Sequence, residues 1–536
     1  AIGYQSPWYR KYSMIEDYFG RLNTALTRGT PEVKVGVIHP VESYWLYWGA
    51  KEQTDGIRQE MDYNFHKLTE WLLYGLIDFD FISESLWKDQ TPDEALDADG
   101  DLMTGKMKYD VIVVPNCVTI RRSTLKRLMA FRKKGGRVIF TGTIPSHVDA
   151  LPCSDAADFA DTCEKIGFAE NLLLSALLPA RTVDIHNQLG VRTDNLIYQM
   201  RNDNGNKWLF LAHCRPMANP DIPQREELTI KISGAYRPVL YDAMTGEIRE
   251  VPYRHAKDAA TGIADAENCG AGCATGYRAD CSTGCSTIIE ETVYDHDSLL
   301  YLLVPEDASA SSQVPVTARD AAAKTQIVLP DFMDISLEEP NVRILDIAEA
   351  KFDDGDWQAP DEVLRIDNKF REILGYQLRM DAFPQPWVFP DAEEIRHKLS
   401  LRFRIDSEIA VKAPLLALEQ ADKTRLYLNG QEVASEINGY FTDRSIQTVT
   451  LPDLQPGENV LIAEMPYYNK FNVEAMYLLG DFGVKVAGRS CMLTPPVQRL
   501  AFGDICTQGL PFYGASITYK VPVTVSKDCR LNVSVT

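Results

Sequence analysis

Short apolar runs and amphipathic stretches alternate along the front third of the chain. Residues 33–40 (VKVGVIHP), 78–83 (DFDFIS), 109–115 (YDVIVVP) and 136–142 (GRVIFTG) are rich in β-branched and aromatic residues. Between them, residues 61–76 and 123–134 repeat apolar positions at helical spacing. Strand and helix in alternation predict βαβ units and a parallel sheet. Ahead of the first run, Met14, Ile15, Tyr18, Phe19, Leu22 and Leu26 recur at helical spacing, and Gly29 and Pro31 stop the pattern. That predicts a lone helix whose stripe needs cover, from the sheet or from a domain upstream.

The pattern changes after residue 180. Residues 182–186, 195–201, 207–214, 227–233, 238–242, 247–252 and 298–304 are short and alternating, with Asn204-Gly205, Ser233-Gly234 and Thr245-Gly246 as turn signals. Short strands at even spacing predict a β-sandwich. Residues 306–326 are small and polar, and read as a linker. Beyond them, residues 399–405, 411–418, 424–428, 445–451 and 459–464 alternate again, and Asn429-Gly430 predicts a type I′ hairpin turn. Residues 531–536 read as a strand stopped without a cap, so a continuation is expected there. The expected fold class is multidomain α/β plus all-β. Its parts are a terminal helix (1–30), an α/β domain (31–180), a sandwich (181–305), a linker (306–326) and a second β-sandwich (327–536).

Composition narrows the partners. The chain has 536 residues, 45% hydrophobic and 24% charged, as in an ordinary globular protein. Its 55 basic residues against 76 acidic ones leave a net charge of −21. Such a chain repels polyanions, so nucleic acid and anionic membrane surfaces are not expected partners. No apolar run approaches the roughly 20 residues needed to cross a bilayer. The sequence opens Ala-Ile-Gly without Met, so its true start is expected upstream. Eleven cysteines, an odd number and mostly scattered, favour a reducing, cytoplasmic compartment.

Several residues are candidates for chemistry. Glycoside hydrolysis needs two carboxyl groups about 5–5.5 Å apart for retention or about 6.5–9.5 Å for inversion. Glu42 and Glu84 each follow a predicted parallel strand, so both fall on the sheet's carboxyl rim. They are the fallback catalytic pair, beside the plainer reading of acids at helix N-termini. Residues 41–49 (VESYWLYWG) hold four aromatics in five positions at the end of a strand, where open α/β sheets bind ligands. They form either a hydrophobic plug packed on another domain or, through Trp45 and Trp48, a sugar-facing surface. Trp387, Tyr467, Tyr468, Asn469, Phe512 and Tyr513 sit in further aromatic clusters whose flat faces suit a pyranose ring. Cys269, Cys273, Cys281 and Cys285 lie within one Gly/Ala/Thr-rich stretch, spaced for a structural zinc ion or for two disulfides. Asp353, Asp354 and Asp356 around Gly355 lack calcium-loop spacing and read as a turn. His39 and Cys117 end strands and read as structural, since no Gly-x-Ser-x-Gly elbow accompanies them. The loop after the first strand lacks glycine, which disfavours a nucleotide.

Tyr4-Gln5-Ser6-Pro7-Trp8, Arg21-Leu22-Asn23 and Gly36-Val37-Ile38-His39-Pro40, with residues 77–84 and 109–115, resemble the region that follows the catalytic barrel in large glycoside hydrolases. The nearest resemblance is to family 106 α-L-rhamnosidases. The α/β domain is similar to the flavodoxin-like trimerisation domain of family 42 β-galactosidases. Leu426-Tyr427-Leu428-Asn429-Gly430 and residues 477–482 (YLLGDF) resemble the galactose-binding-like jelly roll called the family 2 sugar-binding domain. The order of the elements carries the resemblance across nearly the whole chain. It implies that the catalytic carboxylates sit in an upstream (β/α)8 barrel, that residues 1–29 are that barrel's last helix and exit, and that an oligomer is open to this fold.

The resulting expectation is the non-catalytic, C-terminal part of a glycoside hydrolase, docked on its barrel and able to hold carbohydrate. Two alternatives stand beside it: a glycosidase in its own right, and a stand-alone glycan-binding or adhesion module.

Overall fold

The computed structural model describes residues 3–216, 225–257, 285–306, 329–379 and 394–524. They form two compact units, one of residues 14–306 and one of residues 3–13 together with 329–524.

The first unit opens with helices α1 (Ser13–Leu26), α2 (Val41–Leu46), α3 (Lys51–Tyr74), α4 (Glu84–Gln90), α5 (Arg122–Lys133), α6 (Asp155–Ala160) and α7 (Glu170–Ala176). Interleaved with them are strands β1 (Val35–Ile38), β2 (Phe79–Ile82), β3 (Val111–Val114), β4 (Arg137–Thr141) and β5 (Glu164–Ile166). All pair in parallel, in the order β5-β4-β3-β1-β2. Strand alternation sorts the core into two layers. Val35, Val37, Val111, Val113 and Ile139 meet Leu68 and Leu72 of α3 and Leu173 of α7. Ile38, Ile82, Ile112, Val114 and Phe140 meet Trp87 of α4 and Leu125, Leu128 and Phe131 of α5. Covering both faces is what a parallel sheet requires. Gly36 is glycine for space: a Cβ there would come 2.6 Å from Ile82 Cδ1 and 3.1 Å from the Tyr109 ring.

The strand order has a functional consequence. The chain leaves β1 for β2 on one side and leaves β3 for β4 on the other. The loops after these two neighbouring strands therefore diverge, and a crevice opens at their carboxyl ends.

After residue 180 the same unit becomes antiparallel. A six-stranded sheet that includes Leu196–Asp203, Asn206–His213 and Ser298–Pro305 faces a four-stranded sheet that includes Val183–Asn187 and Arg225–Ser233. Ile185, Leu209, Leu211, Ile230, Ile289 and Tyr301 fill the space between. Helix α1 covers the outer side of the six-stranded sheet, where Leu22 and Ala25 pack with Trp208 and Leu300. The Tyr18 and Ser298 hydroxyls meet at 2.6 Å. The expected cover for this helix therefore comes from a sheet, but from the sandwich rather than the parallel one. Met14, Ile15 and Phe19 lie off that contact, 58%, 39% and 58% exposed.

In the second unit a five-stranded antiparallel sheet contains Asn341–Leu345, Leu415–Glu419 and Met476–Gly480. A larger sheet is built on His397–Ser407 paired with Gly457–Tyr467. Leu401, Phe403, Leu416, Leu461 and Leu478 share the core, closed by helix α8 (Val363–Leu374) through Val363, Ile366 and Phe370. The Glu362 carboxylate caps α8 by accepting from the Leu364 and Arg365 amides at 3.0 Å, and Gly375 ends the helix at φ 67°. Asn429 and Gly430 have φ of 52° and 80°, as a type I′ turn demands. The Asp353 stretch is a turn, with the Gly355 amide donating to the Phe352 carbonyl.

The chain thus combines a parallel α/β sheet with several antiparallel sheets in a multidomain arrangement. Residues 307–328, which hold most of the expected linker, and residues 525–536 lie outside the described residues.

Candidate functional site

The crevice between the ends of β1 and β3 is a cleft of about 370 Å³. Its walls follow from local sequence. His39 and Pro40 turn the chain out of β1 into α2, where Pro tolerates a position that needs no amide donor. Ser43, 1% exposed, then fixes α2. Its Oγ donates to the Thr119 carbonyl (3.2 Å) and accepts from the Val118 (2.9 Å) and Thr119 (3.1 Å) amides. This holds Tyr44 and Trp45 over the crevice. Helix α3 adds Asp62, Asn64 and Phe65, the β3 loop adds Asn116, and the loop after β5 adds Phe168.

Several polar heads at this cleft are unspent. Asp62 and Asn64 make no side-chain hydrogen bond among the described residues. Asn116 accepts from the Thr143 amide at 2.5 Å through Oδ1, which leaves its Nδ2 without a partner among them. The His39 ring lies 5.0 Å from Phe65 and 5.9 Å from Phe81. Burial lowers its pKa, so the imidazole is neutral at pH 7. Outside the cleft, the Arg58 guanidinium sits 5.0 Å from the Trp48 ring and 6.0 Å from Tyr44, a cation–π contact that steadies the aromatic segment.

The candidates named from the sequence fall in different places once the chain is folded. Glu42 and Glu84 do come together, but on Arg121. The Arg121 Nε bonds Glu42, and its amide donates to Glu84 Oε2 at 2.8 Å. Neither acid is among the cleft's walls. Glu84 is 2% exposed, and burial pushes its pKa up to about 7 against the opposing pull of the Arg121 amide. Trp45 lines the cleft and Trp48 stands beside it, 59% and 71% exposed. Cys117 is 3% exposed, and burial pushes its thiol up.

In the second unit Tyr467 and Tyr513 serve the interior. Tyr467 is fully buried and donates to Asp367 Oδ1 at 2.7 Å. Asn469 accepts from Arg371 at 3.2 Å. The Tyr468 hydroxyl accepts from Lys423 at 3.1 Å. Phe512 packs half-buried on the core. Tyr513 is 8% exposed, and its hydroxyl accepts from the Glu338 amide at 3.0 Å. Trp387, Cys269, Cys273 and Cys281 lie outside the described residues. Cys285 begins a strand and is half-buried.

Sequence reasoning does not single out Asp62, Asn64, Phe65, Asn116 or Phe168 as site residues. Asp62 and Phe65 are hidden in a helical pattern that looks like any amphipathic helix. The signal that is legible is positional: His39 directly follows β1 and Asn116 comes two residues after the end of β3, its neighbour in the parallel sheet.

No family model matches the chain, and no curated protein matches it either. Among solved structures it is similar to a rhamnosidase from Novosphingobium sp. PP1Y at 12% identity and a TM-score of 0.35, covering 86% of this chain and 37% of that one. It is similar to α-L-fucosidase isoenzyme 2 from Paenibacillus thiaminolyticus at 11% identity and a TM-score of 0.31, covering 55% and 51%. A GH42 β-galactosidase from G. stearothermophilus aligns at 9% identity and a TM-score of 0.29, covering 51% and 40%. The chain spans between about a third and a half of the length of these proteins.

Proposed function

We propose that this chain is the non-catalytic part of a carbohydrate-active glycoside hydrolase, serving as a platform for a catalytic domain and holding glycan. The observation that carries this reading is the fate of the rim acids. Glu42 and Glu84 are tied to Arg121 and stand apart from the cleft walls, so they are spent on structure. The sequence resemblance to post-barrel regions supports the hydrolase setting. The parallel sheet's order is that of flavodoxin-like folds, in keeping with it. The exposed Met14, Ile15 and Phe19 on α1 suit docking against another domain.

The alternative, a glycosidase in its own right, draws on Glu84, whose pKa of about 7 is in the range of a general acid. A carboxyl group 2% exposed reaches no substrate, which weighs against it. The purified chain is expected to leave aryl α-L-rhamnosides and aryl β-galactosides intact. Hydrolysis that disappears with Glu42→Gln or Glu84→Gln would overturn the platform reading. For the segment with Cys269, Cys273, Cys281 and Cys285, structural zinc and two disulfides are both proposals. Metal content, measured with and without reductant, separates them.

A further inference from the structure

We infer that the cleft at the ends of β1 and β3 binds a single uncharged pyranose unit of a glycan. This rests on the carbohydrate reading above and gives it a site and a ligand class. Size comes first. About 370 Å³ is near the lower end for small-molecule pockets, enough for one sugar ring and its water and too little for a dinucleotide. Chemistry comes second. Tyr44, Trp45 and Phe65 offer flat apolar surface, which matches the C–H faces of a pyranose. Asp62, Asn64 and Asn116 interrupt that surface with groups that accept from and donate to hydroxyls, and their free atoms have no protein partner among the described residues. Polar groups held beside aromatic rings with nothing to bond but solvent are what a hydroxylated ring requires.

Charge comes third and selects among sugars. Among the described residues Asp62 is the carboxylate of the cleft wall, no Lys or Arg lines it, and His39 is neutral there. Arg58 is not among the wall residues and is engaged with the Tyr44 and Trp48 rings. A phosphate or a uronate would therefore meet Asp62 with no cation among the wall residues to offset it.

The full chain is to be titrated, by saturation-transfer NMR and calorimetry, with methyl α-L-rhamnoside, methyl β-D-galactoside, methyl α-D-glucoside, the methyl glycoside of galacturonate, galactose 1-phosphate and inorganic phosphate. The same titrations follow in Asp62→Ala, Asn64→Ala and Trp45→Ala, all of them chosen at exposed or half-buried positions so that the fold survives. At least one neutral glycoside is expected to bind, about five- to tenfold more weakly in each variant, with no binding of the anions. Neutral binding that all three variants leave unchanged would overturn the cleft as the site while the carbohydrate reading stands. Tighter binding of the uronate or either phosphate would overturn the uncharged ligand class. A chain that binds no monosaccharide but retains an oligosaccharide independently of Trp45 would overturn the inference alone. Failure to bind any glycan, with circular dichroism showing a folded protein, would overturn both.

Discussion

Glu84 carries the clearest residue-level consequence. Its folded pKa of about 7 lies above its ordinary 4.5, because burial penalises the charge. A raised carboxyl pKa contributes stability that is complete below pH 4.5 and is lost as pH rises through 7. Asp78 behaves alike: burial first, then the neighbouring Asp80 charge, lift it from 3.8 to about 7. Glu84→Gln keeps an acceptor for the Arg121 amide and removes the titration. It is expected to flatten the fall in urea midpoint between about pH 4.5 and 7, a gain of up to about 3 kcal/mol at about pH 8. An unchanged pH profile would show that Glu84 ionises freely. Gly36→Val is expected to destabilise by about 1–3 kcal/mol, since Ile82 and Tyr109 occupy the space its side chain needs. Thermal unfolding of the variant measures this.

Among the elements, the parallel strands are legible in sequence because burial on both faces writes a continuous apolar run, as in Val111–Val114. The Asn429-Gly430 turn is legible because two positive φ values in a row exclude nearly every other pair. Helix α2 is not. Its aromatics sit at no core-facing period, and it is Ser43, a polar residue, that pins them. The first half of α3 escapes for a related reason: residues 51–60 (KEQTDGIRQE) are largely exposed and carry no stripe. One aromatic residue of the second unit misdirects in the opposite way. Tyr467 looks like a sugar platform in sequence, yet it belongs to a buried network. Asp367 there accepts from Tyr467, Arg371 (2.9 Å) and Arg379 (2.8 Å). Asp367→Ala would leave the Arg371 guanidinium, 4% exposed, without its counter-ion, at an expected cost of about 3–5 kcal/mol. Denaturant unfolding followed by tyrosine fluorescence reads that loss.

For the whole molecule, the two compact units make independent stability changes the expectation. Asp367→Ala should lower the transition of the second unit and leave that of the first in place, and Gly36→Val should do the reverse. Calorimetry of the intact chain, with two resolved transitions, tests this; a single transition shifted by either variant would show that the units melt together.

Helix α3 runs unbroken for 24 residues, about 36 Å, with no proline along it. Its far end is anchored by Leu68 and Leu72 beneath the sheet, and Asp62 and Phe65 stand about one to three turns before those anchors. The rod behaves as a stiff beam clamped at one end, so whatever tilts the clamp swings the ligand-facing side chains with it. Leu72→Ala, which touches no ligand, should therefore weaken glycoside binding as well as cost about 2–5 kcal/mol of stability.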